Sequence, residues 1–175
     1  MPETVLAAEK ISESIGLMAD KIFDDQEFHE LLLLGMSEKG LYIAKRLAKK
    51  LEDKGHEECD VGRVATTLYR PKYKDPHRHI QIERSYIPCS LRNKVVVLVD
   101  VLLNSGESTV AAMNALSDYE RPFAVKVAVL FKTPKQQYPV IANYVANEIK
   151  LERQESLDCH LLELDGEDKI MRGDD

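Results

Sequence analysis

Long hydrophobic runs and cysteines are both scarce in this 175-residue chain. No apolar segment approaches the roughly 18 residues that cross a bilayer, so we expect no membrane association. The residues Met1–Thr4 lack the basic-then-apolar order of a signal peptide. The three cysteines, Cys59, Cys89 and Cys159, are odd in number and have no CxxC spacing, which excludes a disulfide framework. We therefore predict free thiols and a cytoplasmic location.

An excess of positive charge is also absent, because the formal net charge is −6. Together with an aromatic content of only 6%, this argues against a general nucleic-acid-binding protein. The charge is unevenly distributed, however. Residues 63–84 carry six basic side chains against two acidic ones, which suits an anionic ligand. Residues 163–175 carry six acidic side chains against two basic ones, and we expect this tail to face water.

The apolar pattern predicts alternating strands and helices. Apolar stripes at helical spacing mark two amphipathic helices, over residues 7–24 and 41–51. Continuous apolar runs are typical of strands that are buried on both faces. The predicted strands are 31–34, 60–69, 95–100, 123–131, 143–149 and 160–164. This order indicates an α/β fold, a single domain over residues 1–175, with a mainly parallel central sheet flanked by helices.

The most informative stretch covers residues 95–109. Its apolar strand ends on Asp100, the small polar loop Asn104–Thr109 follows, and an amphipathic helix begins after the loop. The stripe of that helix is Val110, Met113 and Leu116. Free amides at a helix start and a close backbone approach at Gly106 favour a bound phosphate. An ordinary helix cap at Ser108 is the alternative explanation of the loop.

These residues resemble the signature of type I phosphoribosyltransferases, in which acidic and apolar residues precede a small glycine-containing loop. The match runs from Asp100 to Ser108. Further segments follow in the order and spacing of the bifunctional pyrimidine-operon attenuators that are also uracil phosphoribosyltransferases. These segments are Leu31–Leu51, Thr66–Arg70, Ile87–Pro88, Lys94–Leu116 and Leu164–Asp168. The resemblance covers nearly the whole chain and implies a flexible hood loop over residues 70–85.

The resemblance implies two phosphate sites. The 5′-phosphate of phosphoribosyl diphosphate would bind one loop, made of Asn104, Ser105, Gly106, Glu107, Ser108 and Thr109. The diphosphate would bind a second loop, made of Ser37, Glu38, Lys39 and Gly40. Mg²⁺ would enter through the diphosphate of the substrate, and no protein metal site is predicted.

The resemblance also implies the catalytic and base-binding residues. Asp100 would hold the ribose hydroxyls, and Tyr69 with Arg70 would open the hood that closes over the sugar. The nucleobase would contact Lys132, Tyr144 and Val145. Such a reaction needs positioning, charge balance and exclusion of water more than covalent chemistry from side chains.

Three positions depart from the family pattern. Val101 stands where the family has a second acid, which removes a carboxylate that would face the ribose. Glu107 stands where the loop is usually basic or neutral, and an inward carboxylate would repel a phosphate. Lys39 replaces the arginine of the attenuators, so a compact ammonium group takes the place of a planar guanidinium that can donate two parallel hydrogen bonds.

Three functions therefore stay open. The first is transfer of ribose 5-phosphate from phosphoribosyl diphosphate to a nucleobase, uracil by resemblance. The second has a 6-oxopurine as acceptor, because Phe131–Pro134 is similar to the segment where such enzymes place a lysine against the purine. The third is a catalytically silent regulator that senses nucleotides, with RNA as a less favoured partner. The resemblance also implies a homo-oligomer.

Overall fold

The structure is a computed structural model that describes residues 3–25, 30–69, 83–134, 136–152 and 154–174. Within these residues the chain forms β1 (Glu3–Ala7), α1 (Ala8–Asp24), β2 (Leu31–Gly35), α2 (Glu38–Asp53), β3 (Asp60–Arg63), a 3₁₀ turn (Thr67–Tyr69), β4 (Val95–Leu103), α3 (Glu107–Leu116), β5 (Ala124–Lys132), β6 (Tyr144–Glu148), β7 (Glu155–His160), α4 (Leu162–Asp165) and β8 (Lys169–Asp174). Most of the predicted hood, residues 70–82 with Arg70, lies outside the described residues.

Five strands form the central sheet in the order β3-β2-β4-β5-β6, and every neighbouring pair is parallel. β2 is buried along its whole length and β4 nearly so, as expected for strands that are covered on both faces. One face of the sheet packs against α1 and α2, and the other packs against α3. The predicted fold class, a mainly parallel sheet flanked by helices, is confirmed.

The first two helices bury the apolar stripes that their sequences predict. α2 begins at Ser37, whose Oγ accepts a hydrogen bond from the Gly40 amide at 2.9 Å. The buried stripe of α2 is Gly40, Ile43, Ala44, Leu47, Ala48 and Leu51. None of the helices in the described ranges combines the length and the apolar character that crossing a bilayer requires.

A second, antiparallel sheet of three strands has the order β1-β8-β7. It corrects the prediction that the tail 163–175 faces water, because β8 is its middle strand and Ile170 is fully buried. It also corrects the strand predicted at 160–164, since the strand β7 ends at His160 and a helical turn follows. The sequence pattern did not predict β8 because its residues are largely charged. In the folded chain such charges can be paired, and Arg172 forms an ion pair with Glu3 across the sheet at 2.6 Å.

Three local predictions were wrong in their bounds or faces. The strand predicted over 60–69 ends at Arg63, which instead pairs with Tyr86 in an antiparallel bridge. β4 continues to Leu103 because β5 runs beside it to Lys132, so Asp100 lies within the strand. In α3, Met113 is 42% exposed, and small residues face the sheet and allow the helix to approach it closely. The buried residues of α3 are Thr109, Ala111, Ala112, Ala115 and Leu116.

Candidate functional site

The topology of the central sheet places a crevice at the carboxyl ends of β2 and β4. From β2 the chain crosses through α2 to β3 on one side, and from β4 it crosses through α3 to β5 on the other side. The two connecting helices lie on opposite faces of the sheet. Such a switch point is where open α/β sheets bind ligands, between the two diverging loops.

Asp100 lies at the floor of this crevice and is 8% exposed. Its Oδ1 accepts hydrogen bonds from the Ser37 hydroxyl at 2.7 Å and from the Val101 amide at 2.9 Å. Because Ser37 also caps α2, one short network fixes the start of that helix to β4. The cavity beside it measures about 360 Å³. It is lined by Ser37, Glu38, Lys39, Asp100, Val101, Leu102, Leu157 and Cys159.

Gly40 allows the start of α2 to approach β4 this closely. A Cβ atom at this position would lie 2.5 Å from the carbonyl oxygen of Val99 and 3.1 Å from the Ser37 hydroxyl. A side chain would therefore push the helix away from the strand and break the contact between Ser37 and Asp100. The loop Ser37–Gly40 is thus held against the floor of the crevice.

The loop Asn104–Gly106 lies on the other side of the crevice. Gly106 is the N-cap of α3 with φ of 91°, a conformation that favours glycine. The Ser105 hydroxyl accepts a hydrogen bond from the Glu107 amide at 3.2 Å, so the predicted cap at Ser108 is not the one that forms. The Ser105 carbonyl accepts hydrogen bonds from the amides of Gln137 and Tyr138, at 2.9 and 3.0 Å. These contacts fix a tight turn whose following amides open a helix, the arrangement that binds anions.

The first turn of α3 holds the other three predicted phosphate residues. Ser108 is half-buried and Thr109 is almost fully buried. The Oε1 atom of Glu107 is buried and has no hydrogen-bond partner within the described part of the chain. A buried oxygen of this kind is uncommon, because a lost hydrogen bond to water is normally replaced. One oxygen of the carboxylate is thus turned away from solvent beside the loop that the sequence analysis predicts to bind a phosphate.

The small sheet contributes residues that the sequence analysis missed. Asp158 of β7 accepts from the Lys39 ammonium at 3.4 Å, and its other oxygen lies 2.9 Å from His160 Nε2. The hydrogen bond from His160 lowers the pKa of Asp158, and the Lys39 charge adds to the effect. The alternation Leu157-Asp158-Cys159-His160, with Cys159 buried, is the strand signal that could have identified this edge of the cavity.

The predicted base contacts separate into two groups. Lys132 pairs with Leu103 at the carboxyl end of β5, and beside it the Thr133 hydroxyl donates to Asn104 Oδ1 at 2.9 Å. These residues therefore lie at the end of the sheet that is formed by the carboxyl ends of its strands, next to the crevice. Tyr144 and Val145 begin β6 and pair with Ala128 and Val129, which are the partners of Val99 and Asp100 on β4. They therefore lie level with Asp100, two strands away across the sheet.

Tyr144 is buried there for a structural reason. Its hydroxyl donates to Asp25 at 2.7 Å, and the neighbouring Val145 carbonyl accepts from Lys21 at 2.6 Å. Both partners come from α1 or the residue that follows it. These contacts tie β6 to α1, and the role of Tyr144 and Val145 as base contacts stays a prediction.

The crevice has the geometry of a phosphate-binding α/β protein. Two loops that each end at the start of a helix lie on either side of a buried carboxylate. The family model of the phosphoribosyl transferase domain matches residues 3–156, and the chain belongs to that family. More particularly, it is similar to proteins named Bifunctional protein PyrR. The relative from Clostridioides difficile (strain 630) is 31% identical over 91% of each chain. The relative from Corynebacterium glutamicum is 34% identical over 95% of this chain and 89% of its own.

Solved structures show the same fold. A hypoxanthine-guanine phosphoribosyltransferase from Bacillus anthracis has a TM-score of 0.73 at 16% identity, covering 99% of this chain and 98% of its own. An enzyme of the same name from Leishmania tarentolae, in complex with GMP, has a TM-score of 0.72 at 19% identity, covering 97% and 94%. The recognition made from the sequence is confirmed, and the chain is a phosphoribosyltransferase-like protein.

Proposed function

We propose that this protein binds phosphoribosyl diphosphate in the crevice and transfers its ribose 5-phosphate to a nucleobase. The observation that carries the proposal is the network of Asp100, Ser37 and Gly40, which places a buried carboxylate between two loops with helix-start amides. The 5′-phosphate lies on Asn104–Thr109 and the diphosphate on Ser37–Gly40. Asp100 accepts hydrogen bonds from the ribose hydroxyls between them.

In the reaction the bond between C1′ and the diphosphate oxygen breaks, and a ring nitrogen of the base forms the new bond to C1′. The electron pair of the broken bond leaves with the diphosphate. Lys39 balances part of that charge once the incoming phosphate displaces Asp158, its present partner. Mg²⁺ bound with the diphosphate would supply further positive charge, and the carboxylates of Asp100 and Glu38, which border the cavity, offer oxygen atoms of the kind that would hold it.

Uracil is the acceptor that the resemblance to the attenuators favours. A 6-oxopurine is the second candidate, and the position of Lys132 supports it. This lysine lies at the carboxyl end of β5 beside Asn104, where its ammonium can donate to an exocyclic oxygen of a base. Transfer of label from each radioactive base to the nucleotide, with uracil and hypoxanthine in parallel, distinguishes the two.

A regulator that binds nucleotides without turnover is the candidate from another class. Val101 and the buried Glu107 carboxylate favour it, because both reduce the complement of groups that would hold the substrate. Calorimetry separates this candidate from the enzyme. Binding of phosphoribosyl diphosphate with turnover of one base identifies an enzyme, and binding of a nucleoside monophosphate without turnover identifies the regulator. Absence of binding to every phosphorylated ligand would contradict both.

Partners of the assembled protein belong to the same proposal. We expect a homo-oligomer in the cytoplasm, with RNA the less favoured partner. The basic face of α2 supports RNA binding weakly, because Arg46 is paired with Glu163 and Asp168 and Lys49 with Asp53. Sedimentation with and without RNA tests both expectations.

A further inference from the structure

A second, smaller cavity lies on the other side of the loop Ser37–Gly40. It measures about 180 Å³ and shares Ser37 and Glu38 with the crevice. Its remaining lining is Met36, Arg63, Thr66, Thr67 and Glu83. The two cavities are therefore neighbours across the loop that we assign to the diphosphate.

Arg63 is the only cation among the residues that line this cavity. Arg63 is the last residue of β3, and its backbone pairs with Gly35, the last residue of β2. It therefore lies at the carboxyl ends of the parallel strands, next to the crevice. Reciprocal hydrogen bonds of 2.8 Å with the Tyr86 backbone fix it from the other side. The position of the Arg63 backbone is thus set by main-chain contacts that a side-chain substitution leaves in place.

The guanidinium is incompletely satisfied. One terminal nitrogen pairs with Glu83 at 2.6 Å, but the Nε atom is buried and has no hydrogen-bond partner among the residues that the structure describes. A buried N–H of a charged group without an acceptor is costly, and it indicates an acceptor that enters the cavity. Glu83 is 44% exposed, so it can turn towards water when another anion arrives.

From these observations we propose that Arg63 binds the outer phosphate of the diphosphate. This inference rests on the proposed function. A diphosphate on the loop Ser37–Gly40 has one phosphate over the crevice, next to the ribose, and the other directed beyond Ser37 and Glu38 into the smaller cavity. There the Nε–H and a terminal N–H of Arg63 donate to its oxygens in the planar geometry that arginine offers to phosphate. Arg63 thereby adds to the charge balance that Lys39 provides at the inner phosphate.

The cavity also explains why Glu83 matters. Before the substrate binds, Glu83 neutralises Arg63, and the Thr67 hydroxyl lies 3.5 Å from the same carboxylate. The incoming phosphate must compete with this carboxylate, so Glu83 weakens diphosphate binding and speeds its release. Substitution by glutamine removes the competing charge and keeps the shape.

The test compares Arg63→Met with Arg63→Lys, Glu83→Gln and the control Arg92→Met, whose side chain is 75% exposed on a distant loop. Calorimetry with Mg²⁺ measures the Kd for phosphoribosyl diphosphate, inorganic diphosphate and ribose 5-phosphate, and thermal unfolding checks each variant. We expect Arg63→Met to weaken both diphosphate ligands about 10- to 100-fold, as for a lost charged hydrogen bond. Its affinity for ribose 5-phosphate should not change, Arg63→Lys should be intermediate, and Glu83→Gln should bind diphosphates more tightly.

Equal weakening of all three ligands, or unchanged diphosphate affinity in Arg63→Met, overturns the assignment of Arg63 while leaving the proposed function intact. If the wild-type protein binds none of the three ligands, the proposed function fails, and the subsite fails with it.

Discussion

At the scale of single residues, contiguous sequence motifs were enough to predict Asp100 at the floor of the crevice and the two loops beside it. Ser37 and Gly106 stand in contiguous motifs, and the hydrogen bonds that shape their loops join residues two or three positions apart in the chain. Asp158, His160 and Arg63 could not be found in this way. Each reaches the site through a strand whose position depends on pairing with distant segments.

Glu107 provides the most direct test at this scale. Replacing its carboxylate by an amide removes a charge that repels a phosphate, so we expect Glu107→Gln to bind ribose 5-phosphate about tenfold more tightly, or about 1.4 kcal/mol. Calorimetry measures the change. Glu9→Gln, in the exposed first turn of α1, is the matched control and should bind as the wild type does. Weaker binding by Glu107→Gln would show that the carboxylate serves the ligand instead.

Val101 lines the cavity and is 8% exposed. If the missing second acid limits the site, Val101→Asp should raise turnover of the accepted base, although burying a carboxylate should lower stability by about 1–3 kcal/mol. A turnover assay and denaturant unfolding measure the two effects, and Val101→Asn separates charge from polarity. An unchanged rate in both variants would place the limitation elsewhere.

At the scale of elements, one arginine pairs α2 with the connection between β7 and β8 of the small sheet. Arg46 of α2 binds Glu163 within α4 at 2.5 Å and Asp168 just after α4 at 2.7 Å. Its hydrogen bonds lower the pKa of Glu163. Burial alone would raise the pKa of Asp168, but hydrogen bonds from Arg46 and from the Leu162 amide outweigh it. No helix or strand pattern in the sequence indicates such a contact.

The sign of the pH effect follows from these shifts. Both carboxyl groups have folded pKa values below their ordinary values of 4.5 and 3.8. Their stabilisation is therefore complete above about pH 5 and is lost as the pH falls through the lowered values. We expect Arg46→Met to lose about 1–3 kcal/mol at pH 7 and to unfold with a weaker dependence on acid pH. Urea unfolding across pH 3–7 measures both. The control is Lys49→Met, whose pair with Asp53 is largely exposed.

At the scale of the whole molecule, we predict that the two sheets form one domain over residues 1–175. β1 precedes α1 directly, while its partner β8 comes from the last described residues, so the small sheet joins distant parts of the chain. The sequence predicted the central sheet because its strands are continuously apolar. The sequence did not predict the three-stranded sheet, because strands that alternate charged and apolar residues have a composition similar to that of solvent-exposed loops.

A single domain should unfold in a single step. We expect helix content by circular dichroism and the amide exchange of β8 to report the same free energy of unfolding. Hydrogen exchange resolved by residue, measured beside a urea transition, makes the comparison. Earlier opening of β8 than of β4 would instead indicate a small sheet that detaches by itself.

The segment between β5 and β6 has one more consequence. Gln137 and Tyr138 hold the Ser105 carbonyl, and Val140 lies against Gly106, while Lys132 and Thr133 begin the same connection. If the base and the 5′-phosphate bind as proposed, changing this stretch to accept a different base should also change the affinity for the phosphate. Libraries that vary the connection should therefore be screened for base selectivity and phosphate affinity at once.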